Sequence, residues 1–196
     1  IFGWLNSAID ADVAQLFWLM GGGGTGKSVL TAELLRQLRD SKSPDRAVAW
    51  HFCRHDNPQQ SSPAALLRSL AAMLCAKLPG FKEALGDVSA DVLASTDAKE
   101  LFAALFEAPL AKIAAPDKAL VIIIDALDEL AKEGQKQLLG MIAGQLSQLP
   151  KWLRIFATSR EEAQIKNAFR KFKPRELRAD EAKNRADVEA RAAIIQ

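Results

Sequence analysis

The chain has 196 residues and is poor in several things, each of which narrows what it can be. Two cysteines, Cys53 and Cys75, are too few for a disulfide framework. A reducing, cytoplasmic setting is the expectation. No apolar run approaches the roughly 20 residues that span a bilayer. The longest, residues 119–124, stops at Asp125, so no membrane association is expected. A secretory leader is not expected either, since Asp10 and Asp12 interrupt the opening apolar residues. Neither sign of charge is in excess: 26 Lys and Arg face 24 Asp and Glu, a formal net of +2. Nucleic acid is therefore not expected as the main partner. There are no internal repeats, no low-complexity tract and no evident linker. The first residue is Ile, which reads as a piece of a longer protein whose flanking modules carry part of the function.

What is present is alternation. Residues 1–14 are mildly amphipathic, with Trp4, Leu5, Ile9 and Val13 at helical spacing. A short apolar run at 16–20 reads as a buried strand that ends in four glycines. A helix with one broad apolar side follows at 27–39. The next strand is 47–53, followed by a polar loop at 54–62. Ser62 and Pro63 read as an N-cap and first helical residue of a helix ending near Lys77. Residues 81–96 are weakly patterned and read as an insertion. Asp97 and Glu100 resemble a capping box for a helix reaching about Ala114. Residues 119–125 form an almost continuous apolar strand, of the kind buried on both faces of a parallel sheet. A helix at 132–149, a strand at 154–159, a helix at 161–172 and a short strand at 174–178 complete the pattern. Another helix is expected from Asp180 to the last residue. The order predicts an α/β domain of three layers, α/β/α, around a mostly parallel five-stranded sheet.

Gly21-Gly22-Gly23-Gly24-Thr25-Gly26-Lys27-Ser28 matches G-x-x-x-x-G-K-[ST] in full, between a strand and a helix. Glycines allow positive φ and close backbone approach. Their N–H groups form an anion nest, reinforced by the positive end of the helix that begins near Lys27 and Val29. Lys27 would reach the β- and γ-phosphates of a nucleotide, and the Ser28 hydroxyl would ligate Mg²⁺.

Asp125 ends an apolar strand, where a carboxylate points into the ligand crevice. It would hold the Mg²⁺ shell opposite Ser28. Asp128 and Glu129 follow small Ala126 and are candidates to orient a water, with Glu129 preferred. They equally suit a helix N-terminus that favours acids. Arg160, after Thr158 and Ser159, would either contact a γ-phosphate or pair on the surface with Glu161 or Glu162. His51, Cys53 and His55 find a fourth ligand only in Cys75, which sits mid-helix, and read as core and loop residues, not zinc ligands. Lys166, Arg170, Lys171, Lys173 and Arg175, interrupted by Phe169 and Phe172, read as a solvated face over two core aromatics. An Asn-Lys-x-Asp guanine reader is missing, so ATP or ADP is the expected nucleotide.

The phosphate loop after Phe17-Trp18-Leu19-Met20 resembles the NACHT branch of the STAND signalling ATPases. So does Ile122-Ile123-Ile124-Asp125-Ala126-Leu127-Asp128-Glu129. His51-Phe52-Cys53-Arg54, with Asp56 and Pro58, resembles the nephrocystin-3-like subset, as does Ala157-Thr158-Ser159-Arg160-Glu161. The resemblance spans residues 1–178, with a helical lead-in at 1–15. It implies a sheet with the sensor strand between the phosphate-loop strand and the Asp125 strand. It implies a switch that holds ADP at rest, hydrolyses ATP slowly and self-associates with ATP. It also implies that residues 179–196 begin a following helical module, and that other flanking modules bring protein partners. Two other functions compete. One is a P-loop small-molecule kinase, which would need an acceptor site. The other is a scaffold that binds nucleotide without hydrolysis.

Overall fold

The computed structural model describes residues 1–9, 12–40, 46–145 and 148–181. Five strands, β1 (Leu16–Met20), β2 (Ala47–Phe52), β3 (Leu120–Asp125), β4 (Leu153–Ser159) and β5 (Arg175–Arg178), form one sheet in the order β2-β3-β4-β1-β5. Every pairing is parallel, so the expected "mostly parallel" sheet is wholly so. β4, the strand that the resemblance assigns as sensor, lies between β1 and β3, as the resemblance implied.

Alternate residues on each strand face opposite layers. Leu16, Trp18, Met20, Ile122, Ile124, Ile155 and Ala157 join a large core with α4 (Pro63–Lys77), α7 (Ala98–Phe102), α9 (Lys132–Gln145) and α10 (Ala163–Phe169). Phe17, Leu19, Val121, Ile123 and Phe156 face the other way, onto α1 (Phe2–Leu5) and α2 (Lys27–Asp40). This explains the unbroken apolar run of β3: both of its faces are buried. Among the described residues no helix is long and apolar enough to cross a membrane.

Local chemistry modifies several expectations. Among the described residues of the expected lead-in at 1–15, only Phe2–Leu5 are helical. The reason is two buried arginines at the amino end of the sheet. Arg154 donates to the carbonyls of Trp4, Ser7 (2.9 Å) and Ala8 (3.1 Å), and its guanidinium lies over the Trp4 ring. Arg46 donates to Leu5 O, to Asn6 Oδ1 (2.6 Å) and to Ala119 O (2.9 Å). Carbonyls that would have extended the helix are claimed by guanidinia instead. Burial lowers the pKa of both groups from their ordinary value, and in Arg154 the nearby Arg46 charge adds to this.

Residues 54–62 are not all loop, because α3 (Pro58–Ser61) forms there under an Asn57 side-chain cap. Ser62 caps α4 as expected, and α4 ends at Lys77. The weakly patterned stretch holds two short helices, α5 (Phe81–Leu85) and α6 (Ala90–Ala94). Asp97 caps α7 through the N–H groups of Lys99 and Glu100, but the reciprocal half of the box is missing. Glu100 Oε2 accepts from Ser95 Oγ instead. The expected helix to Ala114 is interrupted by a π-turn, Ala103–Glu107, before α8 (Ala108–Leu110). Pro109 has no N–H for the Leu105 carbonyl, and the wider turn upstream absorbs the mismatch. Helix α9 is described over Lys132–Gln145, and residues 146 and 147 of the helix expected to reach Leu149 lie outside the described residues. Helix α10 ends at Phe169 with a 3₁₀ turn, Arg170–Phe172. The helix expected from Asp180 lies, from residue 182 on, outside the described residues.

Helices α9 and α4 meet closely at their starts. A Cβ on Gly134 would stand 2.5 Å from Pro63 Cδ. Alanine is the better helix former by about 1 kcal/mol, but the rigid proline ring cannot yield. Gly134→Ala is expected to destabilise the chain by about 2 kcal/mol net. Thermal denaturation checks this, with a fall in Tm of about 4–8 °C expected.

Candidate functional site

Parallel pairing brings the carboxyl ends of all five strands to one edge, with Met20 opposite both Ser159 and Arg178. The helix after β1 covers one face of the sheet, and those after β2, β3 and β4 cover the other. The carboxyl edge above β4, between the ends of β1 and β3, is therefore a topological switch point, where ligands of such sheets bind.

Residues 21–26 form a loop between β1 and α2. Gly24 and Gly26 have φ of 73° and 78°, which an L side chain rarely adopts. Gly21 is constrained by space. A Cβ there would lie 3.0 Å from Thr25 Oγ1 and 3.2 Å from the Ala179 side chain. The Thr25 hydroxyl donates to Gly22 O at 2.9 Å. Lys27 Nζ donates to Gly21 O (2.9 Å) and Gly22 O (2.8 Å), so its ammonium lies across the loop. Burial lowers the Lys27 pKa from its ordinary value, opposed by Asp128 and Asp125, whose charges favour the ammonium. Gly22, Gly23, Gly24, Ser28 and Val29 are exposed, and Thr25 and Gly26 are partly so.

Asp125 is buried at the end of β3. Its Oδ1 accepts from Thr31 Oγ1 at 2.8 Å and from Thr158 Oγ1 at 2.7 Å. Thr158 Oγ1 in turn accepts the Ala126 N–H at 2.9 Å, which holds Ala126 in its left-handed conformation (φ 55°). Helix α2, β3 and β4 are thus tied together through one carboxylate oxygen. Thr31 escaped the sequence reading, although a signal existed. It lies four residues after Lys27, one turn along the same helix face. The Thr31 hydroxyl also lies 2.9 Å from Lys27 O.

The turn after β3, Leu127–Glu129, sends its two acids in opposite directions. Asp128 Oδ1 accepts the Arg160 N–H at 3.0 Å, and its Oδ2 lies 3.2 Å from Arg160 Nε. Arg160 therefore pairs with Asp128, not with Glu161 or Glu162. Glu129 Oε2 lies 3.2 Å from His55 Nδ1 and 3.4 Å from the His55 backbone N. Ser159 is buried, accepting from Trp18 Nε1 at 2.8 Å. Lys166 pairs with Glu161, Arg170, Lys171, Lys173 and Arg175 are exposed, and Phe169 packs edge-on against Trp18 in the core. That is the solvated face expected of the basic stretch.

The residues present fit a nucleotide phosphate with its magnesium ion. The loop glycines leave the backbone bare of Cβ atoms, and Lys27 adds an ammonium. Asp125 Oδ2 is the one oxygen of that carboxylate not engaged by a threonine.

Comparison with known proteins agrees with this architecture. Cdc6p from Pyrobaculum aerophilum is similar at 16% identity with a TM-score of 0.51, over 92% of this chain and 43% of that one. The Walker-type ATPase of Pyrococcus abyssi is similar at 15% identity with a TM-score of 0.49, over 90% of this chain and 52% of that one. The chain thus spans about half the length of these proteins or less, and the likeness to Cdc6p shows the fold alone. No curated protein matches the chain. The profile described as "Nephrocystin 3, N-terminal" matches residues 3–160. That match covers most of the chain, and the protein belongs to the nephrocystin 3 N-terminal family.

Proposed function

We propose that this domain binds ATP and ADP with Mg²⁺, hydrolyses ATP slowly, and couples nucleotide state to assembly as a NACHT-type STAND switch. The observation that carries the reading is the Asp125 carboxylate. It is held by hydroxyls from the phosphate-loop helix and from the sensor strand, beside the Lys27 loop. On this reading residues 1–178 form the core, and 179–196 begin a following module. The free thiols of Cys53 and Cys75 suit a cytoplasmic setting.

The roles follow from donors and acceptors. Gly21 to Gly26 offer backbone N–H groups to the phosphates, and Lys27 crosses to the β- and γ-phosphate oxygens. Ser28, in the first turn of α2 with Val29 beside it, would offer a hydroxyl to the metal, and Asp125 Oδ2 would serve the same ion. Bound Mg²⁺ would supply positive charge against the developing negative charge on the phosphates. Asp128 has both oxygens committed to Arg160, whereas Glu129 has only Oε2 engaged. Glu129 Oε1 is therefore the acceptor for a water proton. Asp128 instead sets Arg160, which on this reading would meet a γ-phosphate and register its loss.

Glu129→Gln tests the assignment. It is expected to leave ATP affinity within about twofold by calorimetry while kcat falls at least about 100-fold. Equal turnover in the two proteins would remove Glu129 from the role. Mass measured by light scattering in ADP and in a non-hydrolysable ATP analogue tests the switch. Assembly only with the analogue is expected, and identical mass in both would overturn it.

A further inference from the structure

We propose that His55 is a positioning residue for Glu129, a role that rests on the reading of Glu129 given above. The two residues are 74 apart in sequence, yet His55 meets Glu129 twice. Its backbone N–H points to Oε2 at 3.4 Å, and its ring Nδ1 lies 3.2 Å from the same oxygen. Both contacts engage Oε2 and leave Oε1 available.

The loop that carries His55 is itself built to hold a position. On the amino side, the Cys53 N–H donates to the backbone carbonyl of Asp125 at 3.0 Å. The exit of β2 is therefore fastened to the metal-facing residue. Arg54 forks onto Asp56 at 3.1 and 2.8 Å, spanning His55 from both neighbours. On the carboxyl side, the Asn57 N–H closes on Arg54 O at 3.2 Å, and Asn57 caps α3 through its side chain. Glu129 is equally fixed from behind, since its N–H donates to Ala126 O at 2.8 Å. Two short, closed turns thus face each other through one histidine–carboxylate contact.

The chemistry needs this hold. A glutamate has three side-chain torsions, and a half-exposed one samples many rotamers. A general base works only when its acceptor oxygen stays within hydrogen-bond reach of the water. Nδ1 serves as donor in the imidazolium and in the neutral Nδ1–H tautomer, so the contact does not require a charged ring. Asp128 has a different anchor, Arg160. The loss of His55 therefore affects one acid and not the other.

Three variants test the proposal in this chain. His55→Ala is expected to lower kcat for ATP about 10-fold with KM changed less than twofold, because the Lys27 loop is untouched. His55→Asn places an amide nitrogen as far from Cβ as Nδ1, and is expected to restore kcat to within about threefold. In a Glu129→Gln background, His55→Ala should have no further effect on kcat. The melting temperatures of the two single variants and the double variant should be non-additive by about 1–2 °C. An unchanged kcat in His55→Ala, an Asn variant as slow as the Ala variant, or additive melting temperatures would each overturn the positioning role. The failure of Glu129 is separate: it appears as turnover that survives Glu129→Gln, whatever His55 does.

Discussion

Lys27→Ala is expected to weaken ATP and ADP binding by at least about 100-fold, to the point where calorimetry on the purified chain returns no measurable heat. The reasoning begins with the ammonium. Its Nζ lies across the loop, within 2.9 Å of Gly21 O and 2.8 Å of Gly22 O. A charge-assisted hydrogen bond to phosphate contributes about 1.5–3 kcal/mol. Two such bonds lost, at about 1.4 kcal/mol per tenfold, exceed the stated factor. The backbone donors of residues 21–26 remain in the variant, which is why an effect of less than tenfold would count against the site. The same substitution leaves Gly21 O and Gly22 O without their ammonium. A small loss of thermal stability is expected alongside, far short of unfolding. Calorimetry with the folded state confirmed by circular dichroism separates the two effects.

The second large effect lies at the opposite end of the sheet and concerns stability. Arg154→Ala is expected to destabilise the chain by about 3 kcal/mol, which lowers Tm by about 6–12 °C. The arginine is buried and donates to three backbone carbonyls, those of Trp4, Ser7 and Ala8. Truncation takes the guanidinium from those acceptors, leaving Trp4 O with the Ser7 N–H at 3.4 Å, and removes a cation from the face of the Trp4 indole. Unpaired buried carbonyls cost about 1–3 kcal/mol each when water cannot reach them. The opening residues lie near the surface, so partial hydration keeps the sum near the lower end. Hydrogen exchange provides the local check. The amides of residues 1–9 should lose protection before those of β1, whereas uniform loss across the sheet would show that the arginine supports the core rather than the lead-in.

These two sites differ in how far the sequence foretells them. The phosphate loop is a contiguous motif, and its glycines and lysine act within eight residues. Asp125 is legible because a strand buried on both faces leaves a carboxylate only at its end. Short apolar runs buried on both faces make β1 and β3 readable, and the place of β4 between them follows from the resemblance. Contacts between distant residues were not legible. Nothing in the spacing of Arg46 or Arg154 marks them as buried, because arginine is ordinarily a surface residue. The carbonyls that accept from them become visible only once residues 1–9 lie against the sheet. The same holds for His55 and Glu129, each exposed enough to pass for solvent contacts.

Helical boundaries failed for a related reason. The stretch ending near Ala114 carries good helical periodicity, yet Pro109 removes one donor and the chain answers with a wider turn at Ala103–Glu107. Phe102 and Phe106 stack face to face across that turn, 5.4 Å apart. Periodicity locates such a segment but does not register one extra residue in a turn. The lead-in shows the converse, since Trp4, Leu5, Ile9 and Val13 have helical spacing and tertiary hydrogen bonds override it.

The two hydroxyls on Asp125 bear on the order in which ligands arrive. Oδ1 already accepts from Thr31 and Thr158, so only one oxygen of this acid is open to a cation. Among the described residues no group of three or more acidic, histidine or cysteine side chains gathers to hold a metal ion. A bare divalent ion would therefore find one carboxylate oxygen and a serine hydroxyl, too few to displace its own water shell. The cation is expected to enter already chelated by the phosphates, as cargo of the nucleotide, and to leave with it.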